Sequence, residues 1–135
     1  METARLNKRF YSYIINLVFY LGIGFAVASP LLILTKVHII FYFLTAIGGA
    51  VILSFFFDLF LLVVSKGYNI GSAIMGVKYV TNNGEKINRR QAMIRSASES
   101  TLVLVFLDLI YFLRYRTERG VIDRLSDSFA IDTRL

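Results

Sequence analysis

The sequence predicts an all-α integral membrane protein: a two-helix transmembrane hairpin plus a third membrane-embedded helix, re-entrant or spanning, with a small cytoplasmic β-hairpin. Three observations predict it. Of the 135 residues, 56% are hydrophobic and the mean hydropathy is +0.63, above the composition of soluble domains. Two apolar runs, Phe10 to Leu34 and Ile39 to Val64, are each long enough to cross a hydrocarbon layer of ~30 Å at 1.5 Å per residue. Basic residues gather at the ends of those runs, where membrane topology places them. The absence of cysteine, the single proline and the 12 Phe and 8 Tyr exclude disordered, collagen-like and disulfide-stapled classes.

The first run follows Arg5, Lys8 and Arg9, and Ala26-Val27-Ala28 within it resembles a signal-peptidase site. The run is longer than a signal core, so it reads as a retained anchor, with Pro30 near its far end. A link of Thr35-Lys36-Val37-His38 joins it to the second run, and two long helices so connected form an antiparallel hairpin. Only Lys36 lies in the link, whereas Lys66, Lys78, Lys86, Arg89, Arg90 and Arg95 follow the second run. The positive-inside rule therefore makes the amino terminus and the middle segment cytoplasmic. The net charge of +6 is explained by these flanks, and nucleic acid is not implied.

Residues 67–95 are too polar to cross. Val77 to Val80 alternates, Asn82-Asn83-Gly84 is a turn signal, and together they predict a β-hairpin ending near Ile87. Asn88 with Gln91 three residues on predicts the cap of a basic amphipathic helix lying at the headgroups, with Lys86, Arg89, Arg90 and Arg95 facing anionic lipid. The third apolar helix, residues 96–113, is short, and its inclusion of "SASEST" brings Glu99 near the hydrocarbon. Arg89, Arg90 and Arg95 before it and Arg114, Arg116, Arg119 and Arg124 after it favour both ends on one side. A re-entrant helix is preferred over a third crossing. In the tail, residues 114–135, Phe129 and Ile131 alternate with polar neighbours and suit a strand paired with Val77 to Val80.

Polar residues inside apolar helices mark candidate sites. Arg9, Tyr13, Asn16 and Tyr20 share one face at 100° per residue, which should meet protein rather than lipid. The stripe reads either as interhelical hydrogen bonding with a structural Arg9–Asp123 ion pair, or as a ligand-facing groove. Asp58 lies deep in the second run, and Asp108 repeats the pattern in the third. The two acids approach each other if the third helix packs against the second, forming an ion or proton pathway to which Asn16 contributes; the alternatives are a structural pair sharing one proton, or Asp108 at headgroup depth bonding Arg95, Arg114 or Arg116. Gly22, Gly24, Gly48 and Gly49 permit close backbone approach, and Gly67, Gly71 and Gly76 shape the exit from the membrane.

"RFYSYIIN", "GYNIGSAIMGVKYVTNNGEKI", Arg95 and "RGVIDRLSDSFAI", in that order, resemble the RDD family of small bacterial membrane proteins. The resemblance covers almost the whole chain and makes Arg9, Asn16, Gly71, Gly76, Arg95 and Asp123 its motif positions. Arg9 matches the family's arginine and Asp123 its second aspartate. Asn16 stands where the first aspartate is expected and cannot ionise. Ser72 replaces a usual lysine, and Asp127 a more common glycine. The resemblance implies a bacterial inner-membrane location and a suggested part in transport, with some relatives linked to cation and proton exchange.

Enzyme chemistry lacks its parts: there is no cysteine, and His38 has no acid or serine neighbour in sequence. No cofactor or metal is implied. The expected function is an oligomeric transporter or cation/proton exchanger, since two or three helices enclose little of a pathway alone. The alternative is a non-catalytic accessory, regulatory or immunity-type protein that binds another membrane protein.

Overall fold

The fold is described by a computed structural model over residues 3–36, 38–115 and 119–134. Val37 of the predicted link and Arg116 of the predicted basic flank lie outside the described residues. Helix α1, Leu6–Thr35, and helix α2, Ile39–Val64, form the antiparallel hairpin and are both long and apolar enough to cross a membrane. Lys36 ends α1 in the left-handed region, at φ 49°. Lipid tails offer no hydrophobic drive for helix association, so the pair packs through small residues instead. Ala28, Ala46 and Ala50 are buried in the seam, and a Cβ on Gly24 would fall 2.3 Å from the Ala46 carbonyl oxygen. Gly22, Gly48 and Gly49 do not share this role, contrary to the expectation, because nothing packs within 4 Å of where their Cβ atoms would lie. The large side chains point outward, as Val18, Val27, Phe41 and Phe56 do.

The polar end is built from short elements. Asn69 caps α3, Ile70–Met75, through a reciprocal bond with Ser72, and Gly76 ends it at φ 69°. Strand β1, Val77–Thr81, follows. The predicted local hairpin is corrected here: β1 pairs antiparallel with β2, Ser128–Asp132, in the register Val77↔Asp132 and Val80↔Phe129. The turn at Asn82-Asn83-Gly84 does form, with Gly84 N–H donating to the Thr81 carbonyl, but its return arm is a single bridge between Val80 and Lys86. Ile87 then enters the core and Asn88 begins a helix, so the arm ends before a ladder develops. The tail strand expected around Phe129 and Ile131 takes the place instead. Thr3 bridges Ile131, which adds the amino-terminal segment to the same sheet edge.

Asn88 and Gln91 cap α4, Arg89–Glu99, by the reciprocal bonds that their spacing predicts. The helix does not lie apart at the headgroups. Ala92, Arg95 and Ser96 are fully buried, and Ser96 Oγ donates to the Phe55 carbonyl of α2 at 2.6 Å, while Arg89 and Arg90 remain exposed. A 92° bend separates α4 from α5, Leu102–Tyr115, so the third helix begins six residues later than the sequence suggests. The bend falls where Ser98, Ser100 and Thr101 return hydroxyl bonds to the Ile94 and Ala97 carbonyls, competing with the helical ladder. Along α4, Met93 borders Phe60 and Val64 and Ser96 reaches Phe55, so the chain moves away from the polar end. Along α5, Asp108 meets Tyr13 and Phe112 meets Arg9, so the chain comes back. Helix α6, Val121–Leu125, then leads into β2. The bent pair thus enters and leaves at the same end of the hairpin.

Candidate functional site

The predicted Arg9–Asp123 pair exists and is part of a larger buried cluster. Asp123 on α6 takes Arg9 on one oxygen and Arg95 of α4 on the other, the latter at 2.9 Å. Arg95 also donates to Ser128 Oγ at 3.1 Å and lies 2.8 Å from Glu99, an ion pair misaligned for a hydrogen bond. Asn69 donates its side-chain amide to Glu99 at 2.7 Å. Aromatic faces complete the enclosure: the Arg95 guanidinium stands 3.4 Å from the Tyr79 ring centre, and that of Arg9 stands 4.5 Å from the Phe112 ring centre. Burial pushes the Asp123 carboxyl up, but the charges and hydrogen bonds of Arg9 and Arg95 outweigh it and hold it below the usual carboxylate range. Arg95 is therefore not a lipid-facing cation, as its place in a basic helix suggested; it is fully buried and its charge is spent inside.

Asp108 accepts from the Tyr13 hydroxyl at 3.1 Å and from Ile122 N–H at 3.0 Å. A Cβ on Gly120 would sit 2.0 Å from its carboxylate, so glycine lets the start of α6 close on this acid. Asp108 thereby anchors α6 to α1. The expected meeting of Asp58 with Asp108 does not occur. They bind different tyrosines, Tyr20 and Tyr13, seven residues apart and about 10.5 Å along α1 at helical rise.

A cavity of about 240 Å³ lies between α1, α2 and α5. Its walls are mostly apolar, and its polar groups include Asn16, Tyr20, Ser54, Asp58 and Glu99. Tyr20 donates its hydroxyl to Asp58 Oδ1 at 2.7 Å, and Asp58 has no basic partner among the described residues. Asn16 Oδ1 accepts from Gly71 N–H at 2.8 Å, while its Nδ2 is buried with no hydrogen-bond partner among the described residues. A Cβ on Gly71 would fall 2.1 Å from the Ser12 carbonyl oxygen, so the close approach of α3 to α1 depends on glycine there.

The sequence placed Arg9, Asn16, Asp58, Asp108 and Asp123 as site residues but did not find Asn69, Tyr79 or Glu99 in these roles. Tyr20 was visible in the polar stripe. Asn69 and Glu99 meet across 30 positions, and neither carries a local pattern that announces it. Among the described residues, no group of three or more His, Asp or Glu side chains is placed to hold a metal ion.

The family model of the RDD family matches residues 3–127 of the chain. No curated protein and no solved structure matches it.

Proposed function

This chain belongs to the RDD family, and on that premise we propose that it is a non-enzymatic, multi-pass protein of the bacterial inner membrane that transports or exchanges cations and protons as a homo-oligomer. The observation that carries the reading is Asp58. It is buried in an apolar helix, borders a cavity, accepts from Tyr20 and has no basic partner among the described residues. Holding a charge near a bilayer centre costs about 2.5 to 3.5 kcal/mol even on the lenient insertion scale, which favours a proton or a bound cation at this acid. Asp108, tied to Tyr13 and α6, serves the fold, and Asn16 lines the pathway as a hydrogen-bonding group. Two or three helices enclose little of a pathway alone, which makes the homo-oligomer part of the transport reading.

With the amino terminus cytoplasmic by the distribution of basic residues, exposed Lys86, Arg89 and Arg90 face the anionic leaflet. The neighbouring ammonium of Lys66, by repulsion and by direct contact, lowers the Lys86 ammonium pKa from its ordinary value, with a smaller contribution from Lys78.

A second reading, an accessory, regulatory or immunity-type protein that binds another membrane protein, is favoured by one residue. Asn16, at the family's acidic position, is locked by Gly71 and cannot carry a proton. The two readings separate in proteoliposomes. Addition of sodium, potassium or lithium should drive proton flux, lost in Asp58→Asn and retained in any Asp108→Asn protein that folds. If folded protein shows no flux with any of these cations, exchange is discarded and the partner-binding reading stands.

A further inference from the structure

The cavity between α1, α2 and α5 has a size, a wall chemistry and two unmet polar requirements that together specify a ligand. At about 240 Å³ it is larger than the ~150 Å³ that encloses benzene and below the ~300 to 1,000 Å³ of drug-sized pockets. One ring with a short polar arm fits. Phe10, Tyr13, Tyr20 and Phe106 contribute aromatic wall, and exposed Phe10 and Phe106 place the rim on the face of the helices that meets lipid. An apolar compound therefore has a lateral way in from the bilayer.

Two groups call for opposite partners. Asp58 uses one oxygen to accept from Tyr20 and has no cation beside it among the described residues, so its other oxygen is suited to an ammonium group. Glu99, the other acid on the wall, is already met by Arg95 and Asn69. Asn16 borders the cavity and is only 7% exposed; its Oδ1 is taken by Gly71 and its Nδ2 is buried without a partner among the described residues, so a ligand acceptor admitted by a small rotation of the side chain would meet an unsatisfied donor. An inorganic cation satisfies the first requirement and not the second.

We propose that the cavity binds a small arylalkyl ammonium that also carries a hydrogen-bond acceptor such as a hydroxyl. Its ammonium lies on Asp58, its acceptor receives Asn16 Nδ2, and its ring fills the aromatic part of the wall. Cation–π attraction to Tyr20 adds to the carboxylate's pull beside a mostly apolar wall. The inference deepens the transport reading and rests on Asp58 being the ligand-facing acid.

The test is equilibrium dialysis of radiolabelled 2-amino-1-phenylethanol against the full chain in lipid nanodiscs. Saturable binding is expected. 2-Phenylethanol, which lacks the ammonium, should bind at least about tenfold more weakly, and 2-phenylethylamine, which leaves the Asn16 donor unmet, about three- to tenfold more weakly. Asp58→Asn should weaken the labelled compound by at least about tenfold. Asn16→Ala removes the donor without adding an acceptor or a charge, and should erase the preference for the hydroxylated amine. Absence of saturable binding by the folded protein overturns the proposal, as does binding that neither substitution changes. Proton flux measured on the same preparation separates the two ideas. Flux with inorganic cations but no amine binding overturns this inference alone, and amine binding without such flux sustains it while removing cation/proton exchange.

Discussion

Asp123 joins two guanidinium groups from helices far apart in sequence, and its removal leaves both without their shared counter-charge. Because Arg9, Arg95 and Asp123 are all essentially unexposed, Asp123→Asn should destabilise the protein by about 3 to 5 kcal/mol, read as denaturant unfolding in mild detergent. Arg95→Lys should not preserve stability, since a point charge cannot hold Asp123, Ser128 and the Tyr79 face together. The pH dependence has a definite sign. Asp123 is held below its unfolded value of ~3.9, so the unfolded chain binds more protons, and this contribution is complete above that pH and lost as pH falls below it. The wild-type advantage over Asp123→Asn should therefore be flat from neutrality to about pH 5 and then shrink in acid, measured by paired unfolding curves. At Gly71 the constraint is steric: a methyl 2.1 Å from backbone has nothing flexible to displace, and Gly71→Ala should cost about 1 to 3 kcal/mol in the same assay. The Arg9–Asp123 pairing was legible through the family pattern, whereas the Tyr79 and Asn69 contributions appear only once the chain is folded.

Among the elements, the cap of α4 and the pairing of the tail strand with Val77 to Val80 were legible, and the packing that brings the two strands together was not. The Asn88–Gln91 box forms where the spacing places it, and Asn88→Ala should cost about 1 kcal/mol and speed amide exchange in the first turn of α4 with little change elsewhere. The strand Val77–Thr81 and the tail strand around Phe129 and Ile131 were both visible from their alternation, but alternation does not say whether the local return arm or the tail holds the ladder. Which strand lies beside it depends on where the tail returns, and β2 arrives because Asp108, Asp123 and Arg95 hold α6 against α1 and α4. The break between α4 and α5 had a visible cause in its run of serine and threonine, while its angle depends on packing against both spans. Asp127 shows a departure from the family with local meaning: it adopts φ 49°, a backbone region that explains a glycine at this position and that Asp tolerates.

For the whole molecule, the sheet is the topological witness. Thr3, β1 and β2 pair at one end of the hairpin, and His38 lies at the other. The native chain has no cysteine, so single thiols at Thr3→Cys, His38→Cys and Thr133→Cys can be labelled without background. An impermeant reagent added to sealed vesicles should mark the first and third from one side and the second only from the other. Labelling of positions 3 and 133 from opposite sides would be incompatible with the paired sheet.

The sequence by itself determined the solvent and the two spans, because length and apolar content are properties that each run possesses alone and the bilayer reads them directly. It also determined the Asn88–Gln91 cap and the turn at Asn82-Asn83-Gly84, which are set by neighbours three or four residues apart. Only the tertiary structure decided what the buried polar groups do. It turned Arg95 away from lipid, gave Asp108 to α6, kept Asp58 from Asp108 and left Asn16 and Asp58 on one cavity. The physical reason is that a charge or amide in an apolar helix announces only that it needs a partner, and partners 14 to 114 positions away are selected by how the helices pack.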